Sequence, residues 1–417
     1  MMTDIYISPG LRTPFVKAGN DFFAYDAMDL SVPVAKAMAA MATPDFLVWG
    51  QVIPRVAVSN IARELVFQAG LEPDTPAFST VMACSTSLLG VIEAAGMLGH
   101  GDTHLALVGG VETMSHIPLA LNTASSDRIV ATYAKDPQRA GAMLAATSVA
   151  DFELPRQAWA NKQSGRSQGQ HTEDTARHFM VSRRAQDERA LLSHQAAVAA
   201  QDAGFFDDLI VPVGDIHRDL IPRRDTSLER LASLPPAFAS DGSLTAGNSS
   251  PLTDGAAAVW VGDREGMRAL GLNPVVLLAD WQIAAMDFRS NDEGILMAPA
   301  RAIARLLARQ NLSFHEIALW NIHEAFAAQV IANIEAVSNP SYRREKAGVD
   351  VDLGVFDWSS VNPHGGSLAL GHPFAATGAR ILSQAAKELA TMPPGTFGIV
   401  SVCADGGQGT VTLLQRV

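Results

Sequence analysis

The chain has 417 residues, 48% of them apolar, and a formal net charge of −12; that length predicts two or three domains, or one large domain with an insertion. The acidic balance, without any Lys/Arg block, opposes nucleic acid as a partner, and no apolar run reaches the roughly 18 residues of a transmembrane helix. MMTDIYISPGLRTPF lacks a secretory start, and two cysteines read as free thiols of a reducing compartment, so the expected location is cytoplasmic.

Short runs rich in Val, Ile and Leu alternate with Ala-rich helical patterns, the rhythm of an α/β protein with largely buried strands. In chain order the pattern predicts a helix over 59–69, a strand over 78–82, a helix over 87–98 and a strand over 105–108. Beyond the middle of the chain it predicts strands over 256–261 and 274–280, a helix over 299–310 and a strand over 318–322. Helices over 324–337 and 377–389 and strands over 397–402 and 410–414 complete the series. The two ends repeat one another in element order. SNIARELVFQAG, Cys84, SLLGVIEAAGMLG and LALVGG answer to HEAFAAQVIANIEA, NPHGGSLALGHP, ATGARILSQAAKEL and FGIVSVCADGG. Internal duplication is the economical reading, and it brings equivalent loops to a shared seam. Residues 116–247 break the rhythm, and the long amphipathic stretch inside them closes on Gly204. The expected division is 1–120 plus 248–272 as one half, 121–247 as an inserted loop domain, and 273–417 as the other half.

Cys84 follows FSTVMA where a helix begins, a position at which unpaired amides and the helix dipole stabilise a thiolate. A small buried hydrophobe is the alternative for this cysteine. His372 lies in GGSLALGHPFAATGAR, where glycines allow close backbone approach and the imidazole could take a proton from a thiol. His323 and Glu324 close the strand-like ALWNI, at the carboxyl end where open α/β sheets place their sites. His323 could orient a water or contact a thioester oxygen, and Glu324 is expected to stabilise the N-terminus of the helix that follows. Cys403 enters the turn ADGGQG and could shuttle a proton to and from carbon, or be a core cysteine. No metal is expected, because C-x-x-C is absent and His100 and His104 sit in a turn-like HGDTH, read as a solvated loop. Phosphate-cradling patterns are absent as well.

Taken together, LRTPF, ACSTS, GGVETMS, SRRAQDERALLSH, AGNSSPLTDGAAA, HEAFAAQ, GGSLALGHPFAATGAR and CADGGQG resemble the thiolase family in order and spacing over nearly the whole chain. The form HEAF, in place of NEAF, is similar to the thiolase subunits of fatty-acid β-oxidation complexes. This resemblance implies two duplicated βαβαβαββ halves in a layered α-β-α-β-α fold with an inserted loop domain. It implies an acyltransferase that cleaves 3-ketoacyl-CoA through an acyl-cysteine, with Cys84 as nucleophile, His372 as its base and Cys403 as the thiol that serves the acetyl-CoA carbon. His323 stands where most thiolases have an Asn that holds a water; that water and His372 would form one oxyanion site. The amides of Cys84 and Asp405 would form the other. Ser250 matches a serine that contacts pantetheine, and Arg223 or Arg224 would meet the nucleotide end of CoA. CoA and acetyl-CoA enter as substrates, with no permanently bound cofactor. A homodimer or homotetramer is implied, as is a partner subunit with hydratase and dehydrogenase activities.

The wording departs from the family at three places. Asp405 stands where Gly or Ala is usual and puts a carboxylate beside an oxyanion site, which could raise nearby thiols. RSQGQHTED lacks a His-Met pair used near pantetheine, and Ser85-Thr86-Ser87 is an unusual continuation after the nucleophile. A biosynthetic acetoacetyl-CoA enzyme and a catalytically weak acyl-CoA binder of the same fold are the competing readings.

Overall fold

Runs such as FLVWG and AAAVWVG bury side chains on both faces, so they form strands only where packed layers cover the sheet on each side. The computed structural model describes residues 3–100, 102–153, 160–289 and 293–417. Its strands are β1 (Tyr6–Ser8), β2 (Val16–Lys17), β3 (Phe46–Gly50), β4 (Ala77–Phe78), β5 (Leu105–Thr113), β6 (Ala120–Leu121) and β7 (Phe152–Glu153). They continue with β8 (Thr253–Gly262), β9 (Val276–Ala285), β10 (Ile317–Ile322), β11 (Phe397–Ala404) and β12 (Gln408–Arg416). The ribbon β6-β7 stands apart, and the others form one mixed sheet in the order β10-β11-β12-β9-β1-β8-β5-β3-β4, with β2 against β8.

The duplication is visible in that order. β3 is parallel to β5, which is antiparallel to β8, itself antiparallel to β1. Likewise β10 is parallel to β11, which is antiparallel to β12, itself antiparallel to β9. The halves meet edge to edge at one pair, Tyr6 with Leu277.

Helices Thr86–Met97 and Thr377–Ala390 form the central layer. Leu88 and Val91 of the first pack with Leu382 and Ala386 of the second, between Val108 and Val259 of one half and Val400 and Val402 of the other. On the outer face of the first half, Trp49 and Trp260 meet Val34 and Leu65 of helices Ala27–Ala39 and Ile61–Gln68. On that of the second, Trp320 and Ile399 meet Ile303 and Val330 of helices Ala298–Gln310 and Ala327–Ser338. The layers therefore run α-β-α-β-α. The two central helices cross closely: a Cβ on Gly378 would lie 2.5 Å from the backbone N of Leu88, and Ser87 Oγ accepts the Ala379 N–H at 2.8 Å. Glycine is needed at this crossing because any side chain would push the helices apart.

Several expectations are revised. The strand expected over 78–82 ends at Phe78, because the chain turns into a short 3₁₀ segment, Ala83–Ser85. Helix Ala327–Ser338 begins after Phe326, so Glu324 does not stand at its start. His104 is not simply solvated, since its Nδ1 lies 2.8 Å from Asp263 Oδ2 and ties its turn to β8.

Candidate active site

Cys84 is placed by an unusual piece of backbone. Ala83 has φ +45°, a left-handed conformation for a residue with a Cβ, and it tips Cys84 into the seam just before helix Thr86–Met97. His372 reaches it from the other half. Gly371 takes φ +95°, where a Cβ would meet Thr253 Oγ1 at 2.8 Å, and the His372 N–H donates to that same Thr253 Oγ1. Thus fixed, His372 Nε2 lies 3.1 Å from Cys84 Sγ, and its Nδ1 lies 2.6 Å from Thr377 Oγ1. Thr377 can donate onward to the Pro373 carbonyl at 3.4 Å. His372 then keeps its hydrogen on Nδ1, which leaves Nε2 to accept the thiol proton.

His323 closes β10, where its N–H donates to the Ser401 carbonyl. Its ring centroid lies 4.1 Å from that of His372. Nδ1 lies 2.8 Å from Ser367 Oγ, while Nε2 is buried without a partner among the described residues. Cys84, His323 and His372 each offer one ligand atom, all within 4.8 Å of one another. A thiophilic cation such as Zn²⁺ accepts such a donor set, and it would block the thiol there.

Burial pushes the Cys84 thiol up to about 12, and the charge of Asp405 adds to this. The amides of Asp405 and of Cys84 itself hydrogen-bond the sulfur and pull the other way. Burial, aided by the charge of Arg380, lowers His372 to about 3. At neutral pH the resting pair is therefore a thiol and a neutral imidazole. Cys403, the last but one residue of β11, is raised well above the usual thiol range by burial and then by Cys84. The structure thus brings Cys84, His372 and His323 into contact, with Cys403 near enough to feel the first sulfur.

Asp405 is half-buried at this seam, and both its carboxylate oxygens accept from Asn161 Nδ2, at 3.1 and 3.2 Å. Asn161 in turn caps the turn at Gln163 and Ser164. Replacing Asp405 by Asn keeps the shape and removes the charge, so iodoacetamide should alkylate Cys84 at pH 8 about tenfold faster than in the wild type, the equivalent of about one pKa unit. Peptide mass mapping over time measures this, and an unchanged rate would clear Asp405 of any charge effect on the thiol.

A cavity of about 320 Å³ runs from His372 and Asp405 past Phe374 to Phe238 and Leu252. It shares Phe238, Ser249, Ser250 and Leu252 with a wider groove of about 760 Å³ that opens beside Arg223 and Arg230. Ser250 Oγ donates to the Ala325 carbonyl at 3.0 Å, whereas the buried hydroxyl of Ser249, on both cavities, has no partner among the described residues. Arg224 is tied to Asp202 in an exposed ion pair and does not line the groove. Glu324 is fully buried, and Arg189 donates to it from Nε at 3.0 Å and from Nη2 at 2.7 Å. Ser193, Asn362 and the Leu368 N–H donate to it too, so its role is to pin the inserted helix Arg183–Asp202 and the loop before His372 against the end of β10. Sequence reasoning missed Thr377, Ser367, Arg380, Asn161 and Arg230.

Comparison with known proteins agrees with this layout. The family model for the thiolase N-terminal domain matches residues 5–265, and that for the thiolase C-terminal domain matches residues 272–416. The chain belongs to the thiolase family. A 3-ketoacyl-CoA thiolase of Yersinia enterocolitica is 35% identical over 424 residues, covering 99% of this chain and 96% of that protein. One from Shewanella loihica is 34% identical with the same coverage. Among solved structures, the Bacillus anthracis acetyl-CoA acetyltransferase matches with TM-score 0.83 and 28% identity over 100% of this chain and 99% of that one. A thiolase from Ascaris suum in complex with coenzyme A shares the fold, with TM-score 0.81 and 24% identity over 99% of this chain and 100% of that one. Among the described residues of this thiolase, no helix is long and apolar enough to cross a membrane.

Proposed function

We propose that this thiolase cleaves 3-ketoacyl-CoA into acetyl-CoA and a shortened acyl-CoA. The observation that carries the reading is the 3.1 Å contact between Cys84 Sγ and Nε2 of His372, a residue that lines the cavity. His372 takes the thiol proton as Cys84 Sγ bonds to the ketone carbon. The oxygen charge so formed falls to the amides of Cys84 and Asp405, the same amides that pull the thiol down. Cleavage of the bond between the α and β carbons expels the enolate of acetyl-CoA, whose oxygen faces His372 and His323, and the Cys403 thiol protonates its carbon. The Cys403 thiolate recovers a proton from the His372 imidazolium, which returns to its neutral form. CoA then enters, gives its thiol proton to His372 and attacks the acyl-cysteine, and that proton passes to the departing Cys84 sulfur as the shortened acyl-CoA leaves. The reverse sequence is the Claisen condensation.

The wider groove takes CoA, with Arg223 at its nucleotide end and Ser250 on the pantetheine path. The groove's width and its two arginines support this, although Arg230 fits the groove better than Arg224. We divide the chain as 1–120 plus 248–272, 121–247 and 273–417; the break between the two matched domains at 265 and 272 supports the start of the last part. We read the HEAF form as pointing to a hydratase/dehydrogenase partner in fatty-acid β-oxidation, family membership as pointing to a homodimer or homotetramer, and the cysteine usage as fitting the cytoplasm.

Incubation with acetyl-CoA followed by peptide mass mapping tests the mechanism. An acetyl group is expected on Cys84 and none in Cys84→Ala. Absence of any adduct on the wild-type thiol would overturn the covalent route and favour an acyl-CoA binder.

A further inference from the structure

The two histidines at the seam have different partners behind them. Thr377, behind His372, can pass its own hydrogen to the Pro373 carbonyl. Ser367, behind His323, has no carbonyl among its hydrogen-bond partners in the described residues; instead Arg380 Nη2 donates to its Oγ at 2.7 Å. Arginine is a donor only. With one lone pair of Ser367 Oγ taken by the guanidinium, the hydroxyl hydrogen has a single acceptor in reach among the described residues, His323 Nδ1 at 2.8 Å. The opposite arrangement would leave a fully buried hydroxyl hydrogen unpaired while two donors crowded one oxygen. Burial, with the nearby Arg380 guanidinium, lowers His323 well below the ordinary imidazole value, so the resting ring is neutral and carries one ring hydrogen only.

We infer that Arg380 and Ser367 fix His323 in the tautomer that carries its hydrogen on Nε2, making it a preset donor toward the substrate oxygen, opposite in tautomer to His372. Nε2 is buried and lacks a partner among the described residues, and the His323 ring stands beside Cys84 and His372. Whether this N–H meets the oxygen itself or a bridging water, the hydrogen must be on Nε2 for it to serve. Ser367 is thus a positioning residue, and Arg380 acts through it. The inference rests on the proposed reaction for its effect on rate, but the tautomer itself is independent of that reading.

Nitrogen NMR of protein labelled with ¹⁵N-histidine, with the His323 signals assigned by loss in His323→Asn, tests the tautomer directly. The ring hydrogen is expected on Nε2 in the wild type and no longer fixed there in Ser367→Ala. A hydrogen on Nδ1 in the wild type would overturn the inference. In kinetics, Ser367→Ala should lower kcat for cleavage by about 10²-fold, the loss typical of one oxyanion donor, and Ser367→Thr should stay within about threefold of the wild type with little change in KM. An amide at position 323 needs no tautomer set, so adding Ser367→Ala to His323→Asn should cost nothing further. An equal loss in that background would show a structural role and sink the assignment. If the wild type cleaves no 3-ketoacyl-CoA, the proposed reaction fails, while the NMR result still decides the tautomer.

Discussion

Replacing His372 by Ala is expected to slow acetylation of Cys84 by acetyl-CoA by about 10²- to 10⁴-fold, the range that a positioned general base contributes. The sign of the accompanying pH effect follows from the resting state of the pair. With His372 lowered to about 3 and Cys84 raised to about 12, the wild-type site holds a neutral base against a protonated thiol across the whole working range. Proton transfer then occurs within the attack itself, and single-turnover acetylation should be nearly flat between about pH 6 and 8 because neither group titrates there. Without the imidazole only the thiolate fraction reacts, and far below the thiol's ionisation that fraction grows about tenfold per pH unit. The variant should therefore show a rate that climbs steadily with pH. Rapid-quench measurement of acetyl-Cys84 reads both features. A variant that keeps a flat profile and a rate within about tenfold of the wild type would move the base elsewhere.

That pair was legible in the sequence because each member sits in a short motif with its own local cause. Cys84 stands at a strand-to-helix turn, and glycine flanks His372 where the backbone must pass close to Thr253. Cys403 could be placed for the same reason, at the end of a buried apolar run. Residues that act from behind these motifs were not legible. Asn161 meets Asp405 across 244 positions and Arg189 meets Glu324 across 135, and no spacing rule predicts contacts that only the packing of an inserted helix creates. Ser367 and Arg380, 13 residues apart, lie on opposite sides of the His372 turn, so helical periodicity does not join them.

At the level of the fold, the alternation of buried strands and helices carried the α/β class, and the repeated element order carried the duplication. Helix Ala27–Ala39 escaped because Pro33 interrupts its pattern, although Asp26 and Asp29 form a full capping box at its start and Val34, Ala35 and Met38 hold it against the sheet. β3 is short and apolar throughout, which periodicity cannot tell from a helix segment. The misreading of Glu324 had the same root. A carboxylate just after a strand and before a helical pattern suggests a cap, and only the tertiary structure reveals the guanidinium that claims it.

The claim of Arg189 on Glu324 sets the other large expected effect. Glu324→Ala leaves a buried arginine without its counter-charge, and breaking a buried pair of this kind costs about 3–5 kcal/mol. Thermal unfolding followed by circular dichroism should show a midpoint lowered by several degrees. Burial pushes the Glu324 carboxyl up, but Arg189, Ser193 and Asn362 outweigh it, and the group ends below its ordinary value of 4.5. A carboxyl lowered on folding lends stability above its unfolded pKa and loses it as pH falls through the folded one. Wild-type stability should therefore drop on acidification below about pH 4, and the Glu324→Ala variant should lose less over that interval because its contribution is already gone. Replacing both partners together, Arg189→Met with Glu324→Leu, removes the unpaired charge and should recover much of the midpoint. It should not recover activity, because Ser193 and the Leu368 N–H also bond to Glu324 and hold the loop that leads to His372. A double variant as unstable as the single one would mean that the other three donors, Ser193, Asn362 and the Leu368 N–H, rather than the ion pair, carry the stability.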